Sequence, residues 1–126
     1  MFQHILMPTD GSQRSESAVR FGMRLAKAHG ARVTALRVTE NGRRAHARAS
    51  LDFVADVAKD CGVACDLVTA LGDTPHEHIV ATAGKLDCDL IVMATHAREG
   101  VQAFVLGSQT QKVLAHSKVP VVVCRE

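Results

Sequence analysis

The chain has 126 residues and a formal net charge of +2, with four Phe and no Trp or Tyr. That charge is too small to imply a nucleic-acid partner, and the shortage of aromatics argues against stacking platforms for single strands. No apolar run approaches the roughly 20 residues that a membrane span needs, so neither a membrane nor a nucleic acid is expected as a partner.

His4 to Met7 reads as a first strand, followed by a helix with Ser15 as N-cap and Ala18, Phe21, Gly22, Leu25 and Ala26 at helical spacing. His29-Gly30 stops that helix, and Arg32 to Val38 forms strand two. Asn41-Gly42 marks a turn, and the short basic cluster from Arg43 to Arg48 reads as a solvated helix start. Leu51, Val54, Ala55 and Ala58 make the next helix face, ended by Cys61-Gly62. Cys65 to Leu71 is strand three, and Pro75 is placed at the first position of a helix carrying Ile79, Val80 and Ala83. Leu90 to Met93 is strand four, Val113 and Leu114 lie in the last helix, and Val119 to Cys124 is strand five.

This alternation predicts one α/β domain over residues 1–126, a three-layer sandwich with a five-stranded parallel sheet. Right-handed crossovers favour the strand order 3-2-1-4-5. Ligands in such sheets bind beyond the carboxyl ends of the strands, where the winding reverses. The rule brings Pro8-Thr9-Asp10 beside Ala94-Thr95-His96-Ala97. The four cysteines, Cys61, Cys65, Cys88 and Cys124, form no C-x-x-C pair and read as reduced packing residues of a cytoplasmic protein. No basic, apolar leader opens the chain, which agrees with that placement.

Gly107-Ser108 opens the last helix after a loop. Backbone N–H groups at such a start suit a phosphate, although Ser is also a common cap without any ligand. Asp10, just after strand one, can cap the Gly11-Ser12 turn by accepting local N–H bonds. Val38, at the end of strand two, reads as a core valine. Arg98 could pair with a phosphate or remain a surface arginine, whereas His96 has no identifiable partner as a base. His76-Glu77-His78 is not a metal site, because helical residues two apart diverge. Gly84-Lys85-Leu86 lacks the P-loop's Ser/Thr, and no Gly-x-Ser-x-Gly elbow or Ser-His-Asp set occurs, so no catalytic residue is assigned.

The run Ile5-Leu6-Met7-Pro8-Thr9-Asp10-Gly11-Ser12, the later Asp89-Leu90-Ile91-Val92-Met93, and then Leu106-Gly107-Ser108, Lys112-Val113-Leu114 and Val119-Pro120-Val121 resemble the universal stress protein family. The resemblance covers essentially the whole chain. It implies an adenine nucleotide alpha-hydrolase-like fold, a stress-response role, a homodimer through the C-terminal strand Val119 to Val123, and a regulatory protein partner of unknown identity. ATP-binding members carry Gly-x2-Gly-x9-Gly-[Ser/Thr], which falls on Ala94, Ala97, Gly107 and Ser108 here. The resulting candidate set is Pro8, Thr9, Asp10, Val38, Ala94, His96, Ala97, Arg98, Gly107, Ser108, Gln109 and Thr110, with ATP and Mg²⁺ as the implied cofactors; the resemblance implies that Asp10 holds a ribose hydroxyl or helps place Mg²⁺ and that the Val38 backbone neighbours adenine.

Two of the four motif positions are alanine. An alanine forced to positive φ costs on the order of 1–2 kcal/mol, and its methyl occupies space a phosphate would use. Two such penalties weaken binding by roughly tens to hundreds of fold. The expectation is weak ATP binding that tightens when Ala94 and Ala97 are returned to glycine. The alternative is a dimeric interaction module of the same family that binds no nucleotide.

Overall fold

The computed structural model describes residues 1–9, 13–39, 44–95 and 107–125. Along the chain run β1 (His4–Pro8), α1 (Gln13–His29), β2 (Arg32–Thr39), α2 (Arg44–Cys61), β3 (Cys65–Leu71), α3 (Pro75–Lys85), β4 (Leu90–Ala94), α4 (Ser108–His116) and β5 (Val121–Cys124). All strands are parallel, in the order β3-β2-β1-β4-β5, as the alternating pattern predicts. Ile5 of β1 lies between Val33 of β2 and Leu90 of β4, which centres the sheet on β1.

Strands covered on both faces are apolar at every position, with alternate residues entering opposite cores. On one face Ile5, Met7, Val33, Ala35 and Val92 pack with Val19, Met23 and Ala26 of α1 and Val54 and Ala58 of α2. On the other, Leu6, Leu36, Ile91 and Met93 pack with Ile79 and Ala83 of α3 and Val113 of α4. Two helical layers thus enclose the sheet. Gly22 lets α1 approach closely, since a Cβ there would meet the Met7 sulfur at 2.6 Å.

Three helices end on one hydrogen-bond pattern. At α1 the Ala31 N–H reaches the Ala26 carbonyl at 2.9 Å while Gly30 takes φ +65°. At α2 Val63 reaches Ala58 at 2.9 Å with Gly62 at φ +73°. At α3 Cys88 reaches Ala83 at 2.9 Å, and the left-handed position is Asp87, at φ +54°. Glycine is the usual occupant of such a turn because it has no Cβ to clash.

Element ends differ from the sequence expectation for local reasons. α1 starts at Gln13, so Ser15 lies within its first turn instead of capping it. β5 starts at Val121, not Val119, because Pro120 has no N–H for the ladder, although its carbonyl accepts from Ile91 at 3.0 Å. β1, β2 and β4 each run one residue further, to Pro8, Thr39 and Ala94. The ladder continues past these ends: Thr9 N–H donates to Leu36 and Thr95 N–H to Cys124. Those added residues form the crest of the sheet.

At the opposite pole the Asp89 carboxylate accepts from the Gln3 N–H at 2.8 Å and the His4 N–H at 3.1 Å. Burial pushes the Asp89 carboxyl up, but these backbone donors outweigh it and leave its pKa below the ordinary value. The His4 Nδ1–H donates to the Leu86 carbonyl, because a carbonyl can only accept. Nε2 then accepts from the Thr34 hydroxyl at 2.6 Å. Burial, aided by the Arg32 charge, lowers the His4 pKa.

All four cysteines are free thiols. Burial raises Cys65 and Cys124 and pushes Cys88 up to about 11, with Asp89 adding to the rise at Cys88. Such thiols stay protonated and unreactive at neutral pH.

Candidate functional site

The crest is built where β1, β2 and β4 end. Thr9 leaves β1 buried, with its N–H on the Leu36 carbonyl at 2.9 Å. Val38 and the buried Thr39 end β2, and Ala94 and Thr95 end β4, both buried. Asp10, His96, Ala97 and Arg98 lie outside the described residues.

α4 meets this crest through one buried bond, in which the Thr110 hydroxyl donates to the Ala94 carbonyl at 3.3 Å. Thr110 is fully buried, so its hydroxyl anchors the helix to the strand end. Gly107 is the N-cap, with extended backbone and no side-chain capping bond. Ser108 is therefore the first helical residue, and it is exposed, not the cap that its residue type suggested. A helix's first N–H groups have no intrahelical acceptor. Here the first in-helix bond runs from the Gln111 N–H to the Gly107 carbonyl, at 3.0 Å. The Ser108, Gln109 and Thr110 N–H groups thus point out of the helix start at the end of β4, with the positive end of the helix dipole behind them.

The start of α3 is closed by contrast. Pro75 has no N–H to satisfy. The His76 N–H donates to Gln109 Oε1 at 3.0 Å, and the Glu77 N–H donates to the Thr74 carbonyl at 3.1 Å. Gln109 Oε1 also accepts from His76 Nδ1–H at 3.0 Å, and the His76 ring stacks on His116 at 6.1 Å. The Gln109 side chain is thus turned to α3, where it caps a neighbouring helix, while its backbone N–H stays at the α4 start. His78 lies against Gly72.

Ala94 is the last residue of β4 and is extended; among the described residues only Asp87 combines a side chain with positive φ. The backbone strain that an alanine for glycine exchange could impose does not arise at Ala94. Its methyl sits in the wall of the crest, 4% exposed.

Sequence reasoning missed Arg37. It lies on β2 beside Val38, half-buried, with Nη1 donating to the Thr9 carbonyl at 3.5 Å. Its Nε is buried with no partner among the described residues. The signal was available: positions 33, 35 and 37 share a face, and only the last is polar. Among the described residues no group of three or more His, Cys, Asp or Glu is placed to hold a metal ion. The donors collected at the crest are backbone N–H groups and a guanidinium, a set that fits an anion.

The chain belongs to the universal stress protein family, whose pattern it matches over residues 1–61 and 54–125. It is 30% identical over 137 residues to a universal stress protein of Thermus aquaticus, covering 99% of this chain and 100% of that one. It is 27% identical over 143 residues to universal stress protein MJ0531 of Methanocaldococcus jannaschii, covering 100% of this chain and 84% of that one. A crystal structure of a universal stress protein in complex with cAMP superposes with a TM-score of 0.85 at 26% identity, over 98% of this chain and 97% of that chain. Strand order and neighbours together give the adenine nucleotide alpha-hydrolase-like fold. No described helix is long and apolar enough to cross a membrane.

Proposed function

We propose that this protein is a regulatory universal stress protein that binds an adenine nucleotide weakly, ATP among the candidates, at the crest formed by Pro8, Thr9, Val38, Ala94 and the Gly107–Thr110 start of α4. The observation that carries the reading is the start of α4, whose first N–H groups meet no acceptor among the described residues and which the Thr110–Ala94 bond fastens to the end of β4. A phosphate set there meets backbone donors and a positive helix end. The neighbour described in complex with cAMP, at 26% identity, supports an adenine nucleotide as the guest. Asp10, His96, Ala97 and Arg98 belong to the same proposal, with Mg²⁺ at Asp10 when a polyphosphate is bound. The protein works in the cytoplasm as one domain, as a homodimer paired through β5, and passes its signal to a protein partner.

A second reading has its own support. The Gln109 side chain and the Thr110 hydroxyl are both engaged within the protein, and two glycines of the nucleotide motif are alanine. A crest with these features would serve a dimeric interaction module without a nucleotide. Mass spectrometry of the protein under native conditions, purified with no added ligand and then exposed to millimolar ATP, separates the two. A mass increment of one nucleotide per subunit is expected; none at millimolar ATP favours the second reading.

A further inference from the structure

β2 sends Val33 and Ala35 into the core beneath α1 and α2, and Arg37 takes the next position on that face. A guanidinium keeps its charge in a protein and offers five N–H donors in a rigid fork. Here the fork is underused. One donor makes a 3.5 Å contact to the Thr9 carbonyl, at the long limit for a hydrogen bond, and Nε is buried with no partner among the described residues. A buried unpaired donor is destabilising unless something completes it.

The surroundings call for a negative guest. Among the described residues, the ends of the five strands contribute Arg37 and Arg125, and the carboxylate beside them is Asp73, two residues beyond β3, exposed and accepting from the Thr74 hydroxyl at 3.1 Å. α1 begins four residues beyond Thr9, and α4 is fastened to Ala94, so two positive helix ends lie at this crest. Glu16, in the first turn of α1, is the described acid next along the chain from Thr9.

We infer that Arg37 reads charge at the crest, its guanidinium taking a phosphate oxygen of the bound nucleotide, so that the site prefers phosphorylated ligands to neutral nucleosides. The inference rests on the nucleotide reading above and adds the residue that sets this preference. A guanidinium–phosphate pair is charge-assisted, which suits a fork whose contact to the Thr9 carbonyl, at 3.5 Å, is long.

Calorimetric titration of the full chain with adenosine, AMP and pyrophosphate tests this, for wild type, Arg37→Gln and Arg37→Lys. AMP is expected to bind wild type about tenfold more tightly than adenosine. Arg37→Gln brings AMP to the adenosine level, leaves adenosine within about twofold and abolishes pyrophosphate binding; Arg37→Lys recovers part of the difference. The melting temperature of Arg37→Gln stays at or above that of wild type, because the substitution removes an unpaired buried donor. An AMP preference that survives Arg37→Gln overturns the inference and leaves the nucleotide reading standing. A lowered melting temperature with equal loss of AMP and adenosine marks a structural arginine and overturns it too. Pyrophosphate binding that needs Arg37, without adenosine or AMP binding, supports the anion site and overturns the nucleotide reading. A wild type that binds none of the three overturns both.

Discussion

Asp87 holds a left-handed conformation, at φ +54°, in the turn position that Gly30 and Gly62 occupy at the other two helix ends. Aspartate tolerates this region better than most residues but not as well as glycine. Asp87→Gly is expected to stabilise the protein by about 0.5–1 kcal/mol in chemical denaturation; a loss would mean that the carboxylate does more than occupy the turn. At Ala94 the expectation runs the other way. Its backbone is extended and its methyl buried, so Ala94→Gly alone removes packing without relieving strain. It should cost about 1–2 kcal/mol of stability and leave ATP affinity within about twofold. A tenfold gain in affinity would show that the methyl itself blocks the phosphate. His4 and Asp89 set the acid limit of stability. The His4 pKa lies below its ordinary 6.5, so the unfolded chain takes up the proton first. Its contribution is present above pH 6.5 and is lost as pH falls from there through the lower folded value. The Asp89 pKa lies below its ordinary 3.8, so its contribution is lost lower still, as pH falls below 3.8. Arg32, Asp66 and Asp89 face His4, the first disfavouring its charge and the two acids favouring it. Melting temperatures should decline as pH falls below 6.5, and His4→Gln should flatten that decline; an unchanged profile would assign it to other groups.

The contrast between two helix starts organises the crest at the scale of elements. α3 is capped from outside by the Gln109 amide, while α4 has an N-cap glycine and no side-chain cap. Gln109→Ala should cost about 1–2 kcal/mol, because it uncaps α3 and frees His76, yet leave nucleotide affinity unchanged. Affinity that falls with little loss of stability would return the Gln109 side chain to the ligand. Much of this layer was legible in the sequence. The apolar runs at His4 to Met7, Arg32 to Val38 and Leu90 to Met93 mark strands with both faces covered, and the alternation fixes the strand order. Strand ends were less legible, since hydropathy stops at Met7 and Met93 whereas the ladder of N–H and carbonyl groups runs on through Thr9 and Thr95. Pro120 acts oppositely, shortening β5 within an apolar run. The side-chain partners at the crest were not legible. Spacing places Gln109 and Thr110 at a helix start, but only three-dimensional packing turns one amide to His76 and one hydroxyl to Ala94. Arg37 escaped because a charged residue at a strand end is unremarkable until its buried nitrogen is found without a partner.

The molecule has two poles with different chemistry. One end of the sheet is closed by local hydrogen bonds among Gln3, His4, Thr34, Leu86 and Asp89. The other collects strand ends, an open helix start and an under-bonded arginine. Between them β5 is an edge strand of half-buried Val121, Val122 and Val123, a template for pairing with a second copy. Sedimentation at micromolar concentration is expected to show a dimer of the 13.5 kDa chain; a monomer at all concentrations would contradict the proposed pairing. The central claim is that the crest, and no other part of the surface, receives an adenine nucleotide. Amide chemical shifts followed by NMR during titration with ATP to millimolar concentration test it most directly. The account predicts that Thr9, Val38, Thr95, Ser108, Gln109 and Thr110 move along a saturable curve while Gly30, Gly62 and Asp89 stay fixed. Shifts confined to the Asp89 pole, or none anywhere at saturating nucleotide, would contradict it.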